Sequence, residues 1–310
     1  MAISAASSES RSRPKIRFSI SKYDLIHNED LDNFNRDKVY ERFQIWGMCY
    51  ISHRDELFYV DYSSQSVVRS FHVNEKLTGV DVFENSSDVI CMCYMSDSDS
   101  LVLVSEAKHL VLLTRSSRNE WQEADRLKIK NKDDRFEVIY RTPICYALSD
   151  SRVLFGRSGF TLKYMELFRV ESGSRITFVN RIKLPESYSD FSVSGSGQEL
   201  VAVSYKDTVR VNRLCGDRLE EISRIQFRFS PGTQNVTLLW LADRLIINEY
   251  NDSTQSNVLV ELEVSGSGLE RRRELDLDLA RIELFCWCAV GNELAIYDLY
   301  FNGLVLYSFA

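Results

Sequence analysis

Six short apolar runs recur along this chain at nearly constant spacing, and that recurrence constrains the fold more than any single motif. They begin at Leu57 (LFYVDY), Leu101 (LVLVSE), Val153 (VLFGRS), Leu200 (LVAVSY), Leu245 (LIINEY) and Leu294 (LAIYDL). Successive starts are 44, 52, 47, 45 and 49 residues apart. A second echo precedes the first three runs: Met48-Cys49-Tyr50-Ile51-Ser52, Met92-Cys93-Tyr94-Met95-Ser96, and the looser Ile144-Cys145-Tyr146 followed by Ser149. Each copy leads into a polar turn. The runs are apolar at both parities, with Leu57 and Tyr59 on one strand face and Phe58 and Val60 on the other. A strand that is apolar on both faces belongs in the middle of stacked sheets.

Repeats of about 40–50 residues, each with several short strands, describe the blades of a propeller. The fourth unit reads as four strands: Phe191–Val193, the run at Leu200, Thr208–Leu214 and Glu220–Phe227. Last strands share a basic-then-apolar beat, as in Arg126-Leu127-Lys128-Ile129, Arg181-Ile182-Lys183-Leu184, Arg224-Ile225-Gln226-Phe227 and Arg273-Glu274-Leu275. Charges of this kind discourage pairing at an outer edge. After Leu294 there is room for one more strand, Gly303–Phe309, while Lys15–Ile20 (KIRFSI) carries the outer-strand beat. The expectation is an all-β chain: a single closed β-propeller of six four-stranded blades, with seven as the alternative count and residues 15–20 completing the last blade. Blades are expected near 44–82, 88–129, 142–184, 188–227, 234–277 and 282–309. A flexible polar tail is expected at 1–14, and an irregular insertion at 21–43 with a helical turn around 37–43. Trp46, Trp240 and Trp287 are expected to open first strands, and Trp121 an outer one.

The four-strand repeat and the joined ends resemble the WD-repeat and NHL-type β-propellers over about residues 15–310. The first unit, Leu57–Asp61 running to Val68–Phe71, is similar to the NHL and YWTD patterns. The repeats are degenerate: no Trp-Asp dipeptide and no Gly-His opening occurs. The resemblance implies a ring that presents its rims to partners. It also admits a six-bladed, calcium-dependent lactonase as an enzymatic relative.

Catalytic signatures are lacking. The chain has no GxxxxGK[ST], no GxGxxG and no GxSxG, and its histidines (His27, His53, His72, His109) form no HExxH pair. Lys+Arg 38 against Asp+Glu 45 gives a net charge of −7, which disfavours nucleic acid as a partner. No run approaches the roughly 18 apolar residues of a membrane span, and the first residues lack the apolar stretch of a secretory signal. Seven cysteines, an odd number set mostly in apolar runs, point to free thiols in a reducing, intracellular setting, cytoplasmic or nuclear. Cys91-x-Cys93 and Cys286-x-Cys288 each place two thiols on one strand face, which could begin a metal or redox site. The stronger expectation is packing, because a crowded first strand needs small side chains. No cofactor is expected. Arg271-Arg272-Arg273 reads as a solvated outer face.

Counting along the second strands singles out one set of positions. Four residues after each start lie Asp61, Ser105, Arg157, Ser204, Glu249 and Asp298. The following positions hold Tyr62, Glu106, Ser158, Tyr205, Tyr250 and Leu299. In a propeller these converge on one rim. Asp61, Tyr62, Tyr205, Glu249, Tyr250 and Asp298 are the candidate binding residues, carboxylates for a basic peptide and tyrosines for rigid contact area. An ordinary alternative is that strand ends simply need polar residues at the water boundary. The functional expectation is a non-catalytic scaffold that binds a protein or peptide, basic where it meets these acids, as a monomer or as a subunit of a hetero-complex. The alternative is a metal-dependent hydrolase or lactonase using the same acids around a cation.

Overall fold

The doubly apolar runs are the second strands of six four-stranded antiparallel sheets among the residues the structure describes. The computed structural model describes residues 15–21, 45–61, 67–73, 80–83, 89–105, 109–129, 143–157, 163–194, 199–206, 208–226, 233–251, 256–265, 268–275, 286–298 and 303–308. The tail expected at 1–14, the insertion beyond Ser21 with its helical turn, and Tyr62 lie outside these residues.

The chain enters as β1 (Lys15–Ser21). The first sheet is β2 (Ile45–Ile51), β3 (Glu56–Asp61), β4 (Val67–His72) and β5 (Val80–Phe83). The second is β6 (Val89–Met95), β7 (Ser100–Ser105), β8 (His109–Arg115) and β9 (Trp121–Lys128). The third is β10 (Pro143–Ala147), β11 (Arg152–Arg157), β12 (Tyr164–Glu171) and β13 (Arg175–Lys183). The fourth is β14 (Asp190–Val193), β15 (Leu200–Ser204), β16 (Thr208–Cys215) and β17 (Arg218–Gln226). The fifth is β18 (Thr233–Leu241), β19 (Arg244–Asn251), β20 (Ser256–Ser265) and β21 (Gly268–Leu275). The sixth joins β22 (Cys286–Val290), β23 (Glu293–Asp298) and β24 (Gly303–Ser308) to β1, which pairs antiparallel with β24 from Lys15↔Ser308 to Ser21↔Gly303.

The core explains why the second strands are apolar on both faces. Among the described residues it groups into six clusters, each shared by two sheets. Leu57 and Tyr59 pack with Cys286, Ala295 and Tyr297 of the sixth sheet, whereas Phe58 and Val60 pack with Leu101 and Leu103 of the second. The alternation continues: Val102 and Val104 meet Val153 and Phe155, and Val201 and Val203 meet Leu154. Ala202 then meets Leu245 and Ile247, and Ile246 meets Leu294 and Ile296. Each such side chain contributes about 1.5–3 kcal/mol on burial. First strands of neighbouring sheets also lie against one another, as β2 does with both β6 and β22. The arrangement is that of a β-propeller.

Two glycines sit where sheets approach most closely. A Cβ on Gly47 of β2 would lie 3.1 Å from the Cys91 backbone of β6, and one on Gly156 of β11 would lie 2.5 Å from both Phe191 and Tyr188. Turns after the first strands follow the CY repeat. Ser52–Arg54 and Ser96–Ser98 are single 3-10 turns, closed by left-handed Asp55 (φ 53°) and Asp99 (φ 44°). Aspartate tolerates this conformation better than most residues. One expectation needs correction. Trp240 stands next to last in β18 rather than opening it, because β18 begins upstream, where Thr233, Asn235, Val236 and Thr237 pair with the far end of β19.

Candidate functional site

The second strands all run in the same sense within their sheets, so their last residues lie at one rim. Asp61, Ser105, Arg157, Ser204 and Asp298 are the final residues of β3, β7, β11, β15 and β23. In β19, Glu249 and Tyr250 lie just before its last residue, paired across to Val258 and Asn257. Tyr205 follows β15 directly. Tyr62 falls outside the described residues.

Two of these residues are interior. Glu249 is 5% exposed and Tyr205 is 1% exposed. The Tyr205 ring supports the Arg210 guanidinium, 4.4 Å from the ring centroid, and Arg210 in turn donates to Glu186. Burial pushes the Tyr205 hydroxyl up to about 12, with Arg210 opposing. Tyr205 therefore works through the ion pair it carries, a cation–π arrangement of about 0.5–2 kcal/mol. The third sheet repeats the device: Arg181 lies 4.2 Å over Tyr164 and donates to Glu166 at 2.6 Å.

Next to Ser204, a small polar cluster ties the fourth sheet to the fifth. Ser189 and Ser204 hydroxyls are hydrogen-bonded, and the Asp190 N–H donates to Ser204 Oγ at 3.1 Å. Asp190 Oδ2 accepts the Leu238 N–H at 2.6 Å, and Ser192 accepts both the N–H and the indole N–H of Trp240, at 3.1 and 3.2 Å. Sequence counting singled out Ser204 as a strand end, but not Ser189, Asp190 or Ser192, nor the bonds that join them.

The same rim carries exposed cations. Lys128 and Lys183 end β9 and β13, Lys163 precedes β12, and Lys206 lies between β15 and β16, all four exposed. The strand-end acids Asp61 and Asp298 belong to the first and sixth sheets, and these lysines to sheets two to four.

The opposite rim is stapled. Tyr50 donates to Asp55 at 2.8 Å and Tyr94 to Asp99 at 2.9 Å, the same contact in two copies of the repeat. Arg54 reaches across to Asp99 at 2.5 Å, the Ser151 N–H donates to Asp97 at 3.3 Å, and Arg152 holds Glu199 at 2.7 and 2.8 Å. These bonds join sheets one to four in sequence. The Tyr94 hydroxyl is raised to about 12, by burial first and then by its bond to Asp99. The spacing CYxSxxD, visible in both copies, was the available signal for the Tyr–Asp contact.

Arg273, 26% exposed, has a buried partner that the sequence did not indicate: its Nε donates at 2.7 Å to Glu261, which is 1% exposed. All seven cysteines are free thiols. Among the described residues, no group of three or more His, Cys, Asp or Glu side chains is placed to hold a metal ion. No helix among them is long and apolar enough to cross a membrane.

No family model and no curated protein sequence matches the chain. Solved structures do. A protein from Lactobacillus plantarum superposes with a TM-score of 0.60 at 8% identity, over 86% of this chain and 81% of that one. The WD40 repeats of RRP9 give 0.55 at 11% identity, over 86% and 80%. A chain in the mitotic checkpoint complex gives 0.54 at 8% identity, over 100% and 98%. What is shared at such identity is the fold. The chain is a β-propeller, built like the WD40 repeat structures and without their sequence signature.

Proposed function

We propose that this chain is a non-catalytic scaffold module, a six-bladed propeller ring closed by β1, that binds a protein or peptide at the rim where the second strands end. The observation that carries this reading is the alignment of Asp61, Ser204, Glu249, Tyr250 and Asp298 at equivalent strand ends, with four exposed lysines completing the rim. A partner with a basic segment would lie against the arc of Asp61 and Asp298, with Tyr62 and Tyr250 as contact surface. Glu249 and Tyr205, being buried, hold that surface in place. The similar chain in the mitotic checkpoint complex is itself part of an assembly, which supports a role as a subunit. Seven free cysteines support an intracellular, reducing compartment. Propellers host many activities, so the argument rests on the rim rather than on the fold.

The test compares tagged wild type with Asp61→Lys/Asp298→Lys by affinity purification and mass spectrometry, after equal melting temperatures have been established. Glu249 is left intact, because a lysine in its buried position would unfold the sheet. A stoichiometric partner captured by wild type and lost from the variant is the expected result. Equal capture by both proteins would remove this rim as the binding site.

A further inference from the structure

Six of the seven cysteines lie on first strands: Cys49 on β2, Cys91 and Cys93 on β6, Cys145 on β10, and Cys286 and Cys288 on β22. Packing explains their size but not the contact between sulfurs. Cys91 Sγ lies 3.4 Å from Cys145 Sγ, across the interface of the second and third sheets and 54 residues away in sequence. Cys93, two residues along β6 and so on the same strand face, also contacts Cys145. The three differ in access: Cys91 is partly exposed, whereas Cys93 and Cys145 are 6% and 5% exposed.

From this geometry we infer that Cys91 and Cys145 form a two-thiol site that a peroxide oxidises to a disulfide bridging the second and third blades. Cys91 sulfur attacks one peroxide oxygen and the O–O bond breaks. With hydrogen peroxide this leaves Cys91 sulfenic acid, and the departing hydroxide takes the Cys91 proton as water. Cys145 sulfur then attacks the Cys91 sulfur, the S–O bond breaks, and the second hydroxide leaves as water with the Cys145 proton. Two thiols lose two electrons and two protons, and one peroxide becomes two waters. The sulfurs need to close from 3.4 Å to about 2.05 Å. The hydrogen bond with Cys91 and burial together hold the Cys145 thiol well above its usual range. Cys145 therefore stays protonated until a sulfenic sulfur forms beside it, while Cys91 is the one that peroxide reaches.

The experiment uses the full chain carrying Cys215→Ser, since Cys215 is exposed and would link separate molecules. Reduced protein is treated with hydrogen peroxide, unfolded, alkylated, digested and mapped by mass spectrometry. The expected product is a linked peptide pair containing Cys91 and Cys145, two hydrogens lighter than the separate peptides and dispersed by dithiothreitol. Cys91→Ser should abolish it, and Cys145→Ser should leave a sulfenic acid on Cys91 that dimedone traps. Full alkylation of both cysteines after oxidation would overturn the inference. So would a majority link between Cys93 and Cys145, or an equal yield of the Cys91–Cys145 link when oxidation is done in denaturant. The last control uses no cysteine variant at these positions, so it decides even if a serine variant folds poorly.

Discussion

Asp190 is a carboxyl almost without water, 4% exposed, and its nearest partners are backbone N–H groups of Leu238 and Phe191. Burial raises it from the ordinary carboxylate range to about 7, against the opposing pull of those two hydrogen bonds. In the unfolded chain it titrates near pH ~4. Between that value and about 7 the folded state keeps a proton that the unfolded state has released. Stability must therefore fall as pH rises through this window and level off above it. Relative to Asp190→Asn, which keeps an acceptor for Leu238, wild type should lose on the order of 2–4 kcal/mol between pH 4 and 8. Denaturant melts of both proteins across pH measure this; parallel profiles would show that Asp190 does not titrate there. Little of this was legible beforehand. Asp190 stood in the sequence as a polar residue ahead of Phe191-Ser192-Val193, and its partner lies 48 residues further on.

At the scale of the strand, a register shift separates the third and outermost strands of every sheet. It falls between Val68 and Arg69, Leu112 and Leu113, Leu167 and Phe168, Val211 and Asn212, Glu261 and Leu262, and between Ile16 and Phe18 of β1. The extra residue interrupts the ladder near the open edge, which discourages other chains from adding to it. It also changes side-chain neighbours. Residues three apart face opposite ways on a regular strand, yet Glu123 meets Arg126 at 2.7 Å and Glu221 meets Arg224 at 3.4 Å, each across the extra residue. Both acids here are partly solvated, whereas Glu261, the partner of Arg273, is 1% exposed. Arg126→Ala should therefore cost within about 1 kcal/mol. Arg273→Ala should cost about 3 kcal/mol, because the Glu261 carboxylate stays buried and Arg244, its other cation among the described residues, is 3.7 Å away. Chemical denaturation of the two variants checks the contrast, and equal losses would contradict it. The arginines of the outer-strand beat were visible in the sequence. Their acids were not, since Glu166 and Glu261 look like ordinary polar positions until the register sets them opposite Arg181 and Arg273.

For the molecule as a whole, the spacing of second strands was the most legible feature, because burial on both faces makes the middle of each strand an unbroken apolar run. The rim was legible only as a set of strand ends: exposure depends on neighbouring sheets, and Tyr205 and Glu249 proved interior. The role of β1 can be tested directly. Deleting residues 1–21 strips the partner from β24, whose Leu304, Val305, Leu306 and Tyr307 are buried. The expected outcome is a lower melting temperature and concentration-dependent light scattering, both reversed by a peptide spanning residues 15–21. An unchanged melt would mean that β1 contributes nothing to the stability of its sheet.

The pairing of β1 with β24 also determines how the molecule bears a pull. Lys15 sits opposite Ser308, so the chain enters and leaves at the same end of an antiparallel pair. Tension between the two ends loads the hydrogen bonds one after another instead of all together. The pair therefore opens as a zip does, rung by rung from Lys15, at a lower force than a shear-loaded pair of equal length would withstand. A tether attached at both ends would make this pair of strands a weak mechanical link.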